Sequence, residues 1–453
     1  MVTQIKTIAA PKTIPYLREY PLVGSMRAFS TDRLNLLLSL AQAGDVCGFH
    51  FGPFPFIQFN RPEHVQSIMI EHAEDFDKGR WLRKAVSGNG IFISEGAFHH
   101  RQRKLMAPTF QPRHIVAYAD TMTHYTEQFQ EQWSDGTVID LNQQMTSLTM
   151  SIICKVLFDA DFLTEKDELG AALATSLAYS AYVLSSVFVL PLSWPTPRNR
   201  HVVQAEQLLE AHFQRMIDER RSSTIERNDF LSLLLQARDE DGSKMSDAQA
   251  IDECLTLFGA GHETTAIALI WAWYLLCQHP DIYQKLQQEV DSVLQGRTPT
   301  YADLPRLPYC LQVFKETMRL YSPGYTVSRE ALHDVEIDGY LVPKGAAVLV
   351  SSYTLHRRPE YFPEPEWFEP ERFTPEREKR LPRHAYIPFG VGPRICIGNH
   401  FALMEGQLLL ATLAQRATFT LVPGQRIKPD PEHNFALRPN GKVKVVVKRR
   451  KRP

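Results

Sequence analysis

Apolar residues recur with a helical period over about 114–133, 202–221, 247–277, 281–294 and 309–321, so a helix is expected over each of these spans. A sixth pattern covers 399–415, where Phe401, Leu403, Met404, Leu408, Leu409, Leu410 and Leu413 fall at helical spacing. The period changes to two in 46–60, around Gly52-Pro53, and in 335–352, which turns at Asp338-Gly339 and at Pro343-Lys344-Gly345. A last strand is expected over 442–447. After the first hairpin, Arg61-Pro62-Glu63 begins a helix, with Asn60 as its cap. The chain thus reads as mainly α with small β-sheets.

Two stretches depart from simple amphipathic patterning. Residues 254–277 are apolar all round and should cross the core, yet they carry Glu263, Thr264 and Thr265. Burying such groups without partners costs roughly 1 to 3 kcal/mol each, and more for a charge, so the block needs a purpose. Thr264 lies four residues after Ala260, so its hydroxyl can bond that carbonyl and open the helix, and Gly259 and Gly261 ease a kink. Residues 170–197 carry no charge and are long enough to span a bilayer, but their serines and Pro191, Pro195 and Pro197 favour a roof over a cavity.

Composition narrows the class. The 453 residues are 44% apolar and 22% charged with a net charge of -1, which suits a globular protein with a large core and gives no footprint for nucleic acid. The six cysteines form no C-x-x-C pair, which argues against zinc and disulfide frameworks and for a reducing, cytoplasmic setting. Residues 1–20 read as an irregular arm without signal peptide or transmembrane anchor, and 448–453 as a basic, solvated tail. Length alone would suggest about three domains, but no linker or repeat divides the chain, so 1–453 is expected to be one domain.

Cys396 stands in Phe389-Gly390-Val391-Gly392-Pro393-Arg394-Ile395-Cys396-Ile397-Gly398, directly before the last helix pattern. A helix N-terminus favours negative sulfur, and Gly392 and Gly398 would admit a flat cofactor close to the backbone. A dinucleotide fingerprint fails, because Ile395 occupies the place of its third glycine. Zinc fails too, since His262-Glu263-Thr264-Thr265-Ala266 lacks the second histidine of H-E-x-x-H.

The cysteine segment resembles the haem-ligand loop of the cytochrome P450 superfamily, F-x-x-G-x-[R/H]-x-C-x-G, and fills every fixed position. Ala260, Gly261, Glu263, Thr264 and Thr265 resemble its oxygen-activating motif, [A/G]-G-x-[D/E]-T-T. Glu316 and Arg319 with Pro370-Glu371-Arg372-Phe373 resemble its E-x-x-R and P-E-R-F pair, and the likeness extends from about 21 to 448. The resemblance implies a fold in which haem b lies between the oxygen-activating core helix and the cysteine loop. Cys396 would be the axial thiolate on iron, Phe389 would pack on the loop, and Arg394, Arg103, Arg329 and His99 would bind the propionates. His99 departs from the family's usual tryptophan but keeps an N–H donor. Glu263 would relay protons from solvent and Thr264 would orient dioxygen and water, while Glu316, Arg319 and Arg372 would brace the loop.

What the resemblance implies about activity is a monooxygenase that inserts one atom of O₂ into a hydrophobic substrate such as a fatty acid, terpenoid or steroid-like molecule. No flavin or iron–sulfur segment follows the haem portion, so electrons are expected from a separate ferredoxin or flavodoxin with its NAD(P)H-dependent reductase. Arg101, Lys104 and Arg113 offer a docking patch for it. Pocket walls are expected from 81–93, 177–190, Phe258, 325–327 and Phe435-Ala436. Two other readings remain open: a peroxygenase or an isomerase or dehydratase of oxygenated lipids, and a non-catalytic haem sensor, neither of which needs the Glu263 and Thr264 pair.

Overall fold

The computed structural model describes residues 12–18, 23–160, 166–186, 188–225, 227, 229–431 and 436–450. Its axis is the helix Asp247–Gln278, opened by a capping box between Ser246 and Gln249. Because this helix is apolar on every face, it is stable only when surrounded, and Leu141–Phe158, Pro197–Ser222, Pro308–Leu320 and Asn399–Arg416 pack around it. A Cβ on Gly261 would come within 2.8 Å of the Ile153 side chain, so glycine there sets how closely two core helices approach. Thr264 Oγ1 does donate to the Ala260 carbonyl, at 2.9 Å, but the helix runs on without a break. The expected opening is absent because the hydroxyl shares that carbonyl with the ladder.

The hairpin expected in 46–60 pairs Val46–Phe51 with Phe54–Phe59, in register from Val46 against Phe59 to Phe51 against Phe54. It forms one edge of a five-stranded sheet, followed by the wholly buried strand Ala347–Val350, then Val327–Ala331 and Phe76–Asp77. The alternating stretch 335–352 is therefore divided: Val335–Ile337 and Tyr340–Val342 form a hairpin of their own, and only the later strand enters the main sheet. A third sheet joins Val138–Asp140, Lys444–Arg449 and Ala417–Leu421.

Several local expectations are corrected. The helix at Pro62–Gln66 has no side-chain cap, because Asn60 is buried and turned inward, donating to Gly44 O at 3.0 Å and accepting from Gln58 at 2.6 Å. The span 114–133 is broken into short turns before the helix Ala119–Glu131. Lys448 and Arg449 are not in a free tail but pair with Thr418 and Ala417, since the strand outlasts its apolar residues. Residues 170–185 of the uncharged stretch belong to the helix Lys166–Ser185, with Tyr179 and Val183 buried, whereas Phe188 beyond it is 77% exposed and does not border the cavity. Among the described residues no helix is long and apolar enough to cross a membrane. Residues 1–11, 451–453 and Phe435 lie outside the described residues.

Candidate active site

Cys396 follows a short turn at Gly392–Arg394 and precedes the helix Asn399–Arg416. Its N–H donates to Phe389 O at 2.9 Å, which closes the loop on itself. Gly392 adopts φ +72°, and a Cβ there would lie 2.3 Å from the Met69 carbonyl. That glycine thus lets the loop press on its own protein rather than on a cofactor. Gly398, by contrast, borders the cavity, and the nearest atom to a Cβ there is 4.0 Å away. The sulfur is accessible only in the sense that it faces this cavity, and it is otherwise deeply enclosed. Burial pushes the thiol up, opposed by the Gly398 N–H and the Arg103 guanidinium. The helix N-terminus alone does not secure a thiolate, for the first helical residue is three positions on.

The loop is held from behind by buried charge. Arg319 Nε meets Glu316 at 2.7 Å with both side chains fully buried, and Arg372 Nε lies 3.4 Å from the same carboxylate. Arg319 also donates to the carbonyls of His356, Pro365 and Trp367 at 2.7–2.9 Å. His356 was not legible as a site residue. Its Nδ1 faces Arg319 O at 3.3 Å and its Nε2 accepts from the Ile387 N–H at 2.8 Å, which ties the cysteine loop to the brace. Burial first, then Arg319, pushes its pKa down to about 3, so the ring is neutral and free to accept.

A cavity of about 540 Å³ joins Cys396, Phe389 and Arg394 on the loop to Ala260, Gly261, Thr264 and Thr265 on the central helix. Of the expected wall residues, Trp81, Ile91, Ala181, Leu184, Tyr325, Val327 and Ala436 border it. Phe258 does not: it is fully buried on the other side of the helix, against Phe158 and Phe213. Nor does Glu263 border the cavity. Its carboxylate is taken by Arg438, at 2.6 and 2.8 Å, a partner 175 positions away that the motif did not disclose.

The rim is cationic. His99, Arg103, Arg329 and Arg394 all border the cavity, joined by Lys78, which the motifs had not suggested. Arg103 donates to Ile395 O at 2.8 Å, Arg329 to Ser328 O at 2.8 Å, and Arg394 pairs with Glu95 and bonds Ser94 O. Burial first, and then the neighbouring arginines, lower Arg329 to about 10, Lys78 well below its ordinary value and His99 to about 3. His99 is therefore a neutral imidazole with one N–H to give. Among the described residues no carboxylate pairs with Lys78, Arg103 or Arg329 within 4 Å, so positive charge is in excess around an apolar cavity. A flat, largely apolar group with two carboxylates and a metal open to sulfur fits that donor set. The supposed docking patch fares worse: Arg101 is paired with Asp239 at 3.0 Å and Lys104 with Glu240 at 2.6 Å, so their charge is already answered within the chain.

A cytochrome P450 family model matches residues 14–447. Cyclooctatin synthase of Streptomyces melanosporofaciens is 36% identical over 427 residues, covering 92% of each chain. Pentalenene oxygenase of Streptomyces avermitilis is 31% identical over 90% of this chain and 92% of its own. Among solved structures, the retinoic acid-bound cyanobacterial CYP120A1 superposes with a TM-score of 0.87 at 27% identity, over 97% of this chain and 100% of that one. The haem domain of cytochrome P450DA gives 0.88 at 26% identity, over 98% and 99%. A cysteine loop and a threonine-bearing core helix facing one cavity, in a chain so similar throughout, have one reading: this chain belongs to the cytochrome P450 family and is a haem-thiolate monooxygenase that uses O₂, a hydrophobic substrate and an electron-donating partner.

Proposed function

We propose that this chain, acting as one domain, oxygenates a terpenoid with haem b held by Cys396 and fed by a ferredoxin or flavodoxin and its NAD(P)H-dependent reductase. The observation that carries the reading is the shared cavity, which sets Cys396 and Thr264 on its walls and is otherwise lined mostly by apolar side chains. Cyclooctatin synthase, cyclooctat-9-en-7-ol 5-monooxygenase and pentalenene oxygenase, to which the chain is similar, support a cyclised isoprenoid as substrate. Cys154, Cys254 and Cys310, free and buried away from any partner sulfur, suit a cytoplasmic setting.

When bound, haem with a thiolate ligand supplies the reductive activation of O₂ and cleavage of its O–O bond. The chain's own residues do the rest. Arg103, Arg329, Arg394, Lys78 and the His99 N–H hold the two propionates, and Phe389 packs beneath the loop. Thr264, whose hydroxyl hydrogen rests on Ala260 O, can turn that hydrogen into the cavity and orient a water there. Glu263 releases Arg438 and passes protons from solvent to Thr264, which keeps delivery separate from the apolar substrate space. Phe51, Phe56, Trp81 and Leu349 exclude bulk water around the substrate.

The test is a screen of cyclic diterpenes and sesquiterpenes against the holoprotein, read as a Soret shift, followed by product analysis with the reconstituted donor chain. A terpenoid that shifts the band and gains one oxygen atom is expected, and uniform failure of terpenoids beside binding of another hydrocarbon class would sink the substrate reading. In Thr264→Ala, donor oxidation should continue while product per donor oxidised falls by about a hundredfold.

A further inference from the structure

The wall of the cavity has a second stretch, away from the cysteine loop in the packing of the fold. Phe51, Phe56, Tyr325 and Leu349 there belong to the core cluster around the first helices and the five-stranded sheet, whereas Phe389 and Ile397 of the cysteine loop pack into a separate one. Into this aromatic and aliphatic stretch the helix Arg33–Ala43 places a full charge, Arg33, which borders the cavity and is 8% exposed. Its Nε donates to Phe29 O at 3.0 Å, and its Nη1 to Tyr325 Oη at 2.9 Å and Pro431 O at 3.2 Å. The Phe29 ring lies 4.4 Å from the guanidinium carbon.

Every one of these partners is neutral. Among the described residues no carboxylate lies within 4 Å of Arg33 and no group accepts from its Nη2. Holding a protein segment together needs only neutral donors, and a lone buried cation is costly unless something answers its charge. The Tyr325 hydroxyl accepts from Arg33 and keeps its own hydrogen to donate. Arginine and tyrosine together therefore offer a fork of N–H and O–H donors and one positive charge to whatever fills the cavity. A carboxylate matches that set in charge and in geometry, while an alcohol satisfies only part of it.

We propose that Arg33 and Tyr325 form a carboxylate-anchoring subsite, so that the substrate is a hydrophobic carboxylic acid held by its acid end while its hydrocarbon extends toward Cys396. The subsite rests on the oxygenase reading and adds to the terpenoid one a polar end group.

The test measures dissociation constants of the haem-loaded protein by Soret titration and, independently of any turnover, by calorimetry. Two matched pairs serve as probes: farnesoic acid with farnesol, and dodecanoic acid with dodecanol. The acid should bind about tenfold more tightly than its alcohol, and Arg33→Gln should remove that preference while leaving the alcohol nearly unchanged. Arg33→Lys should keep part of it, and Tyr325→Phe should weaken the acid alone by about threefold. The carbon monoxide difference spectrum of each variant identifies those that have kept haem and fold. An alcohol bound as tightly as its acid, a preference that survives Arg33→Gln, or failure of both acids to bind overturns the subsite. If only the straight-chain pair binds and shows the preference, the subsite stands and the terpenoid reading falls.

Discussion

Two glutamate–arginine pairs flank the cavity, and they differ in everything except their chemistry. Glu316 and Arg319 meet at 2.7 Å with neither side chain exposed, and Arg319 spends its remaining donors on three carbonyls. Glu263 and Arg438 meet as closely, at 2.6 Å, and Glu263 is itself buried, but Arg438 is 26% exposed, and no other hydrogen bond to Glu263 is seen among the described residues. Taking one partner from a fully buried pair leaves an unanswered charge with no water to receive it. Where one partner reaches solvent, water can follow its departure and lower that cost. Burial thus makes the first pair a brace that holds the cysteine loop, and partial exposure leaves the second free to exchange.

The largest effect should come from breaking the brace. Arg319→Leu is expected to destabilise the fold by about 3 to 5 kcal/mol and to abolish the red-shifted carbon monoxide Soret band of the thiolate complex. Thermal unfolding and the difference spectrum measure the two losses, and a stable variant with the normal spectrum would remove the distinction drawn between the pairs.

A smaller effect tests how His356 extends the brace to Ile387. Its folded pKa of about 3 lies below the ordinary 6.5, so in acid the unfolded chain binds a proton that the folded one refuses. The stability this supplies is complete above pH 6.5 and is lost as the pH falls toward 3, with a slope approaching about 1.4 kcal/mol per pH unit. Denaturant unfolding of wild type and His356→Gln at several pH values should show that slope in the first and its loss in the second, other histidines cancelling in the comparison.

The smallest change in stability belongs to the pair with one partner open to solvent. Arg438→Gln, which leaves the buried Glu263 carboxylate facing a neutral partner, should lower unfolding free energy by about 1 to 2 kcal/mol yet change the partition of electrons between product and peroxide by severalfold, with Arg438→Lys restoring it. A loss of stability as large as that of Arg319→Leu would make Glu263 and Arg438 a second brace.

Much of this was legible before folding, and for a common reason. The i,i+3 pairing of Glu316 with Arg319, the i,i+4 bond from Thr264 to Ala260 and the hairpin turning at Gly52-Pro53 each depend on geometry spanning a few residues. The loop around Cys396 is equally local. Sequence by itself therefore determined the most strongly periodic helices, though not Arg33–Ala43 or Leu141–Phe158, together with the turns and the residues that face one another across a single turn. Tertiary structure alone decided the partners that arrive from elsewhere: Arg438 for Glu263, His356 for Ile387, Glu95 for Arg394 and Lys78 for the rim. It also decided which expectations failed. Phe258 lies on the far face, where Leu141–Phe158 and Pro197–Ser222 pack on the central helix and enclose it with Phe158 and Phe213, and Asn60 turns inward because a buried amide must find its partners there. Periodicity records which side of an element is apolar, but what meets that side depends on how distant segments pack, and packing is settled only when the whole chain has excluded water.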